Sequence, residues 1–234
     1  VTLSAAWTPA ANVNLCLNGY KITGPDGDDV ISVPDGKAVT VCDCGGDNAA
    51  SSEAKICHAD GAPGNGVKVA VGGTFSLYSG KITSNTCGVN NAGTFNMYGG
   101  SITGNSNGSG AGGVINSGNI KLYGGTITGN SSAAGTGAVQ TQSGSTVTLG
   151  SHSNITGNTS GSEDTTCNLY LAKGVLITVD DSRDLYFRGK VGISAYNQET
   201  LTDYDKILTI SQNALSPNTS PYDYFETDHA DYET

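Results

Sequence analysis

The chain has 234 residues, 34 of them Gly, with 36% hydrophobic and 14% charged residues. That balance is too turn-rich for a helical protein and too periodic for a disordered one. A formal net charge of −10 with only 11 Lys and Arg, all scattered, excludes a nucleic-acid binder, because a phosphate backbone calls for clustered cations.

No apolar run reaches the ~20 residues that cross a bilayer, so membrane insertion is not expected. Val1 follows no charged leader, and the expectation is a mature or excised soluble piece forming one elongated domain.

Residues 1–60 read as N-terminal coils and a cap, with short β runs at Val13–Leu17, Val30–Val33 and Val39–Val41. Asp26-Gly-Asp-Asp29 has the carboxylates of a calcium turn, but an exposed acidic turn is the simpler reading.

Residues 61–180 read as regular repeats. Gly73-Thr-Phe-Ser-Leu-Tyr-Ser-Gly-Lys-Ile-Thr-Ser-Asn-Thr86 is followed by a copy starting at Gly93, another at Gly118 and a looser one from Gly144 to Thr159. Ile82, Ile102, Ile127 and Ile155 mark a period that suits one coil of a β-helix. Within each copy apolar residues alternate with polar ones, as at Phe75 and Leu77 or Phe95 and Met97, which is the two-residue period of a strand with one buried face. Gly pairs break each copy into pieces of strand length. No Pro occurs from Gly64 to Ser216, as strands paired on both sides require.

The expected fold is therefore all-β, a single-stranded right-handed parallel β-helix of about seven three-stranded coils with capping segments, on the order of 30 Å long at the ~4.8 Å strand spacing. One coil would hold Gly88–Ala92, Thr94–Tyr98 and Ser101–Thr103. Residues 181–234, where acids and Pro return, read as an acidic C-terminal capping segment.

Like residues stack on like. Asn85, Asn105, Asn130 and Asn158 follow the Ile-Thr turn and are expected to satisfy backbone groups from coil to coil, and Asn91 with Asn116 to form a second, inward pair.

The pattern Gly-Thr-Phe-x-Met-Tyr-Gly-Gly-x-Ile-Thr-Gly-Asn resembles a repeat of large secreted surface proteins of gut-dwelling anaerobic bacteria, and the flanks Val1–Trp7, Leu15–Thr23, Val39–Cys44 and Asn168–Leu171 are similar to that family's opening and closing coils. The resemblance covers nearly the whole chain. It implies a parallel β-helix on the outside of a bacterial cell, secreted or at the surface.

Polysaccharide hydrolases and lyases on this fold use clustered carboxylates, with calcium and a basic residue in the lyases. Between Asp60 and Glu163 the chain has no Asp or Glu, so its central coils carry no such cluster. His152 reads as a turn or surface residue, and Asp180, Asp181, Arg183 and Asp184 as terminal surface.

Tyr78, Tyr98 and Tyr123 each follow an inward Leu or Met and are the best ligand-binding candidates, an outward or corner strip for sugars or a protein; plain stacking is the alternative. Thr83, Thr103, Thr128 and Thr156 add an outward array, with Ser101 and Thr126 two residues earlier in a second column that Lys81 and Asn154 interrupt. Among the six Cys, Cys16 with Cys42 and Cys44 with Cys57 are the candidate disulfides, free core thiols being the alternative, and Cys87 with Cys167 is excluded by coil separation. Cys42-x-Cys44 with Cys57-His58 is not a standard zinc set, so no metal or cofactor is assigned.

The sequence points to a non-catalytic adhesion module for a host or matrix ligand, a glycan or a secreted host protein such as mucin or immunoglobulin. A β-helical polysaccharide lyase or hydrolase and a structural spacer are the alternatives.

Overall fold

The computed structural model describes residues 1–45, 54–161, 165–180, 190–195, 208–210 and 225–228. They form a parallel β-solenoid whose second face stacks eight strands in parallel, from Val13–Cys16 in the first coil to Leu208–Ile210. The coil Cys87–Asn91, Thr94–Met97, Ser101–Thr103 shows the plan: three short strands on three faces, joined at tight corners. Each strand pairs in parallel with its counterparts one coil before and after.

The register is the one that the repeats demand, because a one-residue slip would turn every inward side chain to solvent. Face one stacks Ile31, Val67, Val89, Val114, Val139 and Leu169. Face two carries two inward columns, Val39, Phe75, Phe95, Ile120, Val147, Ile177 and Val41, Leu77, Met97, Leu122, Leu149, Val179. Face three stacks Ile56, Ile82, Ile102, Ile127, Ile155 and Val191. These residues are buried and make one continuous core. Phe75 and Phe95 stack with ring centroids 5.6 Å apart.

Two details go beyond three strands per coil. A small extra sheet is built from Ser106–Asn107, Ser131–Ser132 and Thr159–Ser160 in parallel, with Thr165–Thr166 antiparallel at its edge. It has no apolar alternation to give it away, because it packs no core face. In the fifth and sixth coils faces two and three merge into single strands, Asn119–Thr128 and Thr146–Ile155, that turn the corner without a break. The sixth coil holds one extra residue there: Leu122 pairs with Leu149 but Gly124 with His152, a β-bulge at the corner.

The asparagines behave as the repeat predicts. Asn105 donates from its backbone N–H and from Nδ2 to Oδ1 of Asn130, at 3.2 and 2.9 Å, and Asn85, Asn130 and Asn158 do the same to Asn105, Asn158 and Asn168. Every rung is buried. Asn91 Nδ2 donates to Asn116 Oδ1 at 2.7 Å, both fully buried.

The file of rungs has charged or ring-bearing ends that the sequence did not reveal. His58 Nδ1 sits at Asn85 Oδ1, and at the far end Asn168 donates from N–H and Nδ2 to the carboxylate of Asp228, both at 2.6 Å, while Ser194 Oγ donates to the same carboxylate at 2.9 Å. Asp228 belongs to the acidic C-terminal capping segment that the sequence predicts, and within it serves as the terminal acceptor of the ladder.

Candidate functional site

The corner between faces two and three carries the tyrosines. Alternation sends Leu77, Met97 and Leu122 inward, so the next residue leaves the core and its ring lies along the corner. Tyr78 and Tyr98 stack at 4.5 Å and 21°, Tyr98 and Tyr123 at 5.2 Å and 14°, one continuous aromatic strip. Tyr78, at its open end, is 51% exposed.

The strip is one wall of a cleft of about 190 Å³ that Gly150, Ser151, His152 and Asp180 complete. The sixth coil has Gly150 where the three coils before it have Tyr, and the extra residue of the bulge turns Ser151 inward and His152 outward. Ser151 Oγ and His152 Nδ1 are 2.9 Å apart. Asp180 stands one coil further, as the register partner of Gly150. Rings therefore meet an imidazole and a carboxylate at one end of a groove, which sequence spacing did not disclose because the bulge brings them there. Asp181, Arg183 and Asp184 lie outside the described residues.

Thr83, Thr103 and Thr128 do stand in one column on face three, but they do not line this cleft. They are half-buried, and their hydroxyls lean on Gly104, Gly129 and Gly157 of the following coil, so that a Cβ there would sit 3.1–3.3 Å from each Oγ1. Lys81, which interrupts the neighbouring column, belongs to a second one: Lys21, Lys55 and Lys81 stack in register on three successive coils. Like charges directly opposite one another weaken a sheet, so this basic stripe on an acidic chain has a cost to stability.

The cysteines pair differently from the expectation. The disulfide joins Cys16 to Cys44, and Cys42, Cys57, Cys87 and Cys167 are free. Cys42 is the register partner of Cys16, but the corner brings Cys44 closer, and Cys57 lies on face three beside Thr23. His58 is buried with Nδ1 on Asn85 and Nε2 2.9 Å from the Asp28 carbonyl, so the set Cys42, Cys44, Cys57, His58 does not assemble. Cys87 and Cys167 are not bonded, as coil separation requires. The acidic turn is held by backbone: N–H groups of Asp29 and Ala6 on the Asp28 carboxylate keep its pKa below 3.8.

A second cleft of about 290 Å³ lies beside the head of the Asn ladder, lined by Asp60, Ser84, Thr86 and Ser106 among others, with no aromatic wall.

Comparison with protein-family models, curated proteins and solved structures finds no match to this chain. The resemblance described above therefore rests on the repeat residues themselves.

Proposed function

We propose that this is a non-catalytic extracellular binding module, an adhesin domain that takes a host or matrix ligand along its tyrosine-lined corner. The observation that carries the reading is the stack of Tyr78, Tyr98 and Tyr123 walling a cleft with His152 and Asp180 at its end. Ring faces suit the C–H faces of sugars or the apolar parts of a protein, and the polar pair supplies hydrogen-bonding groups that fix orientation. The solenoid holds the rings in place, so little conformational entropy is lost on binding. Glycans of the mucin type and secreted host proteins such as immunoglobulin are the ligand classes, and the setting is the secreted or surface fraction of a gut commensal bacterium, as the repeat resemblance implies.

Capture from mucosal secretions and binding to immobilised mucin test the reading. Replacing Tyr78, Tyr98 and Tyr123 together with Ser is expected to weaken capture at least about tenfold with the β-sheet circular dichroism intact, given ~0.5–1.5 kcal/mol for each aromatic contact. Undiminished capture by the triple variant would move the site elsewhere, and no capture by the wild-type domain would favour a spacer.

One observation favours a second reading, a polysaccharide lyase: Tyr123, His152 and Asp180 share the same end of the cleft, where a proton could be taken from and returned to a bound uronate. Release of unsaturated products from polyuronates, lost in His152→Ala, is its test.

A further inference from the structure

Just before the tyrosine strip, Cys16, Cys42 and Cys44 bring three sulfurs within 4.8 Å of one another. Strand geometry explains the convergence. Cys16 and Cys42 are register partners on adjacent strands, and Cys44 follows at the corner where the strand Ala38–Cys42 ends. Asp43 holds the segment between them. Its Oδ1 accepts from the backbone N–H of Gly19 at 2.8 Å and of Gly45 at 3.4 Å, and its own N–H donates to Ser79 Oγ at 2.7 Å.

A disulfide needs two sulfurs, and here a third stands beside it. Cys16 and Cys44 are bonded, yet the Cys42 thiol lies 3.6 Å from Cys44 Sγ, and the backbone N–H of Cys44 points at Cys16 Sγ from 3.0 Å. An N–H aimed at sulfur supports a thiolate ligand, as outer-shell donors do around metals. The sulfurs of a tetrahedral zinc site with Zn–S bonds of ~2.3 Å stand ~3.8 Å apart, close to the gap already present between Cys42 and Cys44.

We propose that Cys16, Cys42 and Cys44 form a redox-gated site for one thiophilic d¹⁰ ion, Zn²⁺ or Cu⁺. Cys57, which the sequence spacing grouped with Cys42 and Cys44, is replaced in the ligand set by Cys16. The gate is the disulfide. An external dithiol gives up two electrons and two protons and becomes a disulfide itself, while the Cys16–Cys44 S–S bond breaks to two thiols. Metal binding then releases the three thiol protons and leaves three sulfur ligands. A fourth position stays open toward solvent, for water or an outside ligand. In the reverse direction an external disulfide takes two electrons from the Cys16 and Cys44 thiolates and two protons from solvent to become a dithiol, the Cys16–Cys44 bond re-forms, Cys42 regains its proton and the ion is expelled.

The test uses the whole chain, reduced and freed of reductant without oxygen, and titrated with Cd²⁺ while thiolate-to-metal charge-transfer absorption is followed; Zn²⁺ is then added as competitor. One Cd²⁺ per chain is expected, displaced by Zn²⁺, with affinity at least about tenfold lower in Cys42→Ser and lost in the oxidised wild type. A second measurement needs no variant to fold: mass-spectrometric mapping of alkylation on the reduced wild type should show Zn²⁺ protecting Cys16, Cys42 and Cys44 and leaving Cys167 unchanged. Equal Cd²⁺ affinity in Cys42→Ser, no metal uptake by the reduced wild type, or protection at other cysteines overturns the proposal.

Discussion

His58 Nδ1 stands 2.8 Å from Asn85 Oδ1, while Nδ2 of the same carboxamide is engaged by Thr83 O and Asn105 Oδ1, each at 2.9 Å. The amide orientation is therefore fixed: Asn85 accepts from the ring on one side and donates to the next coil on the other. Each following rung repeats the direction as far as the Asp228 carboxylate. Amides pointing the same way polarise one another, so the file is stronger than its single bonds.

Breaking one rung should accordingly be expensive. In Asn130→Ala the backbone N–H and Nδ2 of Asn105 lose their shared acceptor, and the Ile102 carbonyl loses its side-chain donor. A loss of about 2–4 kcal/mol is expected in urea unfolding, from buried groups left without partners. A change under about 0.5 kcal/mol would show that the ladder does not act as described.

The inward pair offers the opposite experiment. Asn91 Oδ1 is buried with no hydrogen-bond partner, and its register neighbour in the preceding coil is Val69. Val69→Asn places a donor beside that oxygen, whereas Val67→Asn, on the same strand and equally buried, faces only Val89 and Ile31. Val69→Asn should cost at least about 1 kcal/mol less than Val67→Asn by chemical denaturation. Equal costs would contradict the pairing.

Ser84 occupies a turn where the next three coils have Gly. Its φ of 57° matches 63°, 63° and 66° at Gly104, Gly129 and Gly157. A side chain in the left-handed region costs ~1–2 kcal/mol, partly offset by the chain entropy that Gly loses on folding. Ser84→Gly should raise stability by about 0.5–1 kcal/mol, seen as a higher melting temperature; a lower one would mean that the Ser side chain has a compensating role.

Burial pushes the Cys87 thiol from 9.0 up to about 12. In the folded chain it should resist iodoacetamide at pH about 8 and react once the protein is unfolded. The folded state holds this proton more tightly than the unfolded one, so stability is unaffected by the group below pH 9.0 and falls as pH rises from there toward about 12. Unfolding midpoints of wild type and Cys87→Ala should thus converge in that window. Parallel pH profiles would refute the assignment.

The core was legible because inward and outward residues alternate with so short a period that Phe75, Phe95 and Ile120 had no other register available. Asn105 and its fellows were legible for the same reason: they recur at one point of the coil. What escaped was set by single events that no repeat announces. The bulge that turns His152 toward Tyr123, the return of Asp228 to Asn168, and the corner that chooses Cys44 over Cys42 as partner of Cys16 each depend on one local departure from the period.

Because every rung of the Asn ladder both accepts and donates in the same sense, any coil presents to the next the face that it received from the last. Removing residues 93–117 would set Asn85 on Asn130 and Tyr78 on Tyr123, and inserting the same stretch would add a rung and a ring between them. Reach is therefore a quantity that whole coils can lengthen or shorten, with His58 and Asp228 still closing the two ends. The number of rings offered to a ligand rises or falls with it.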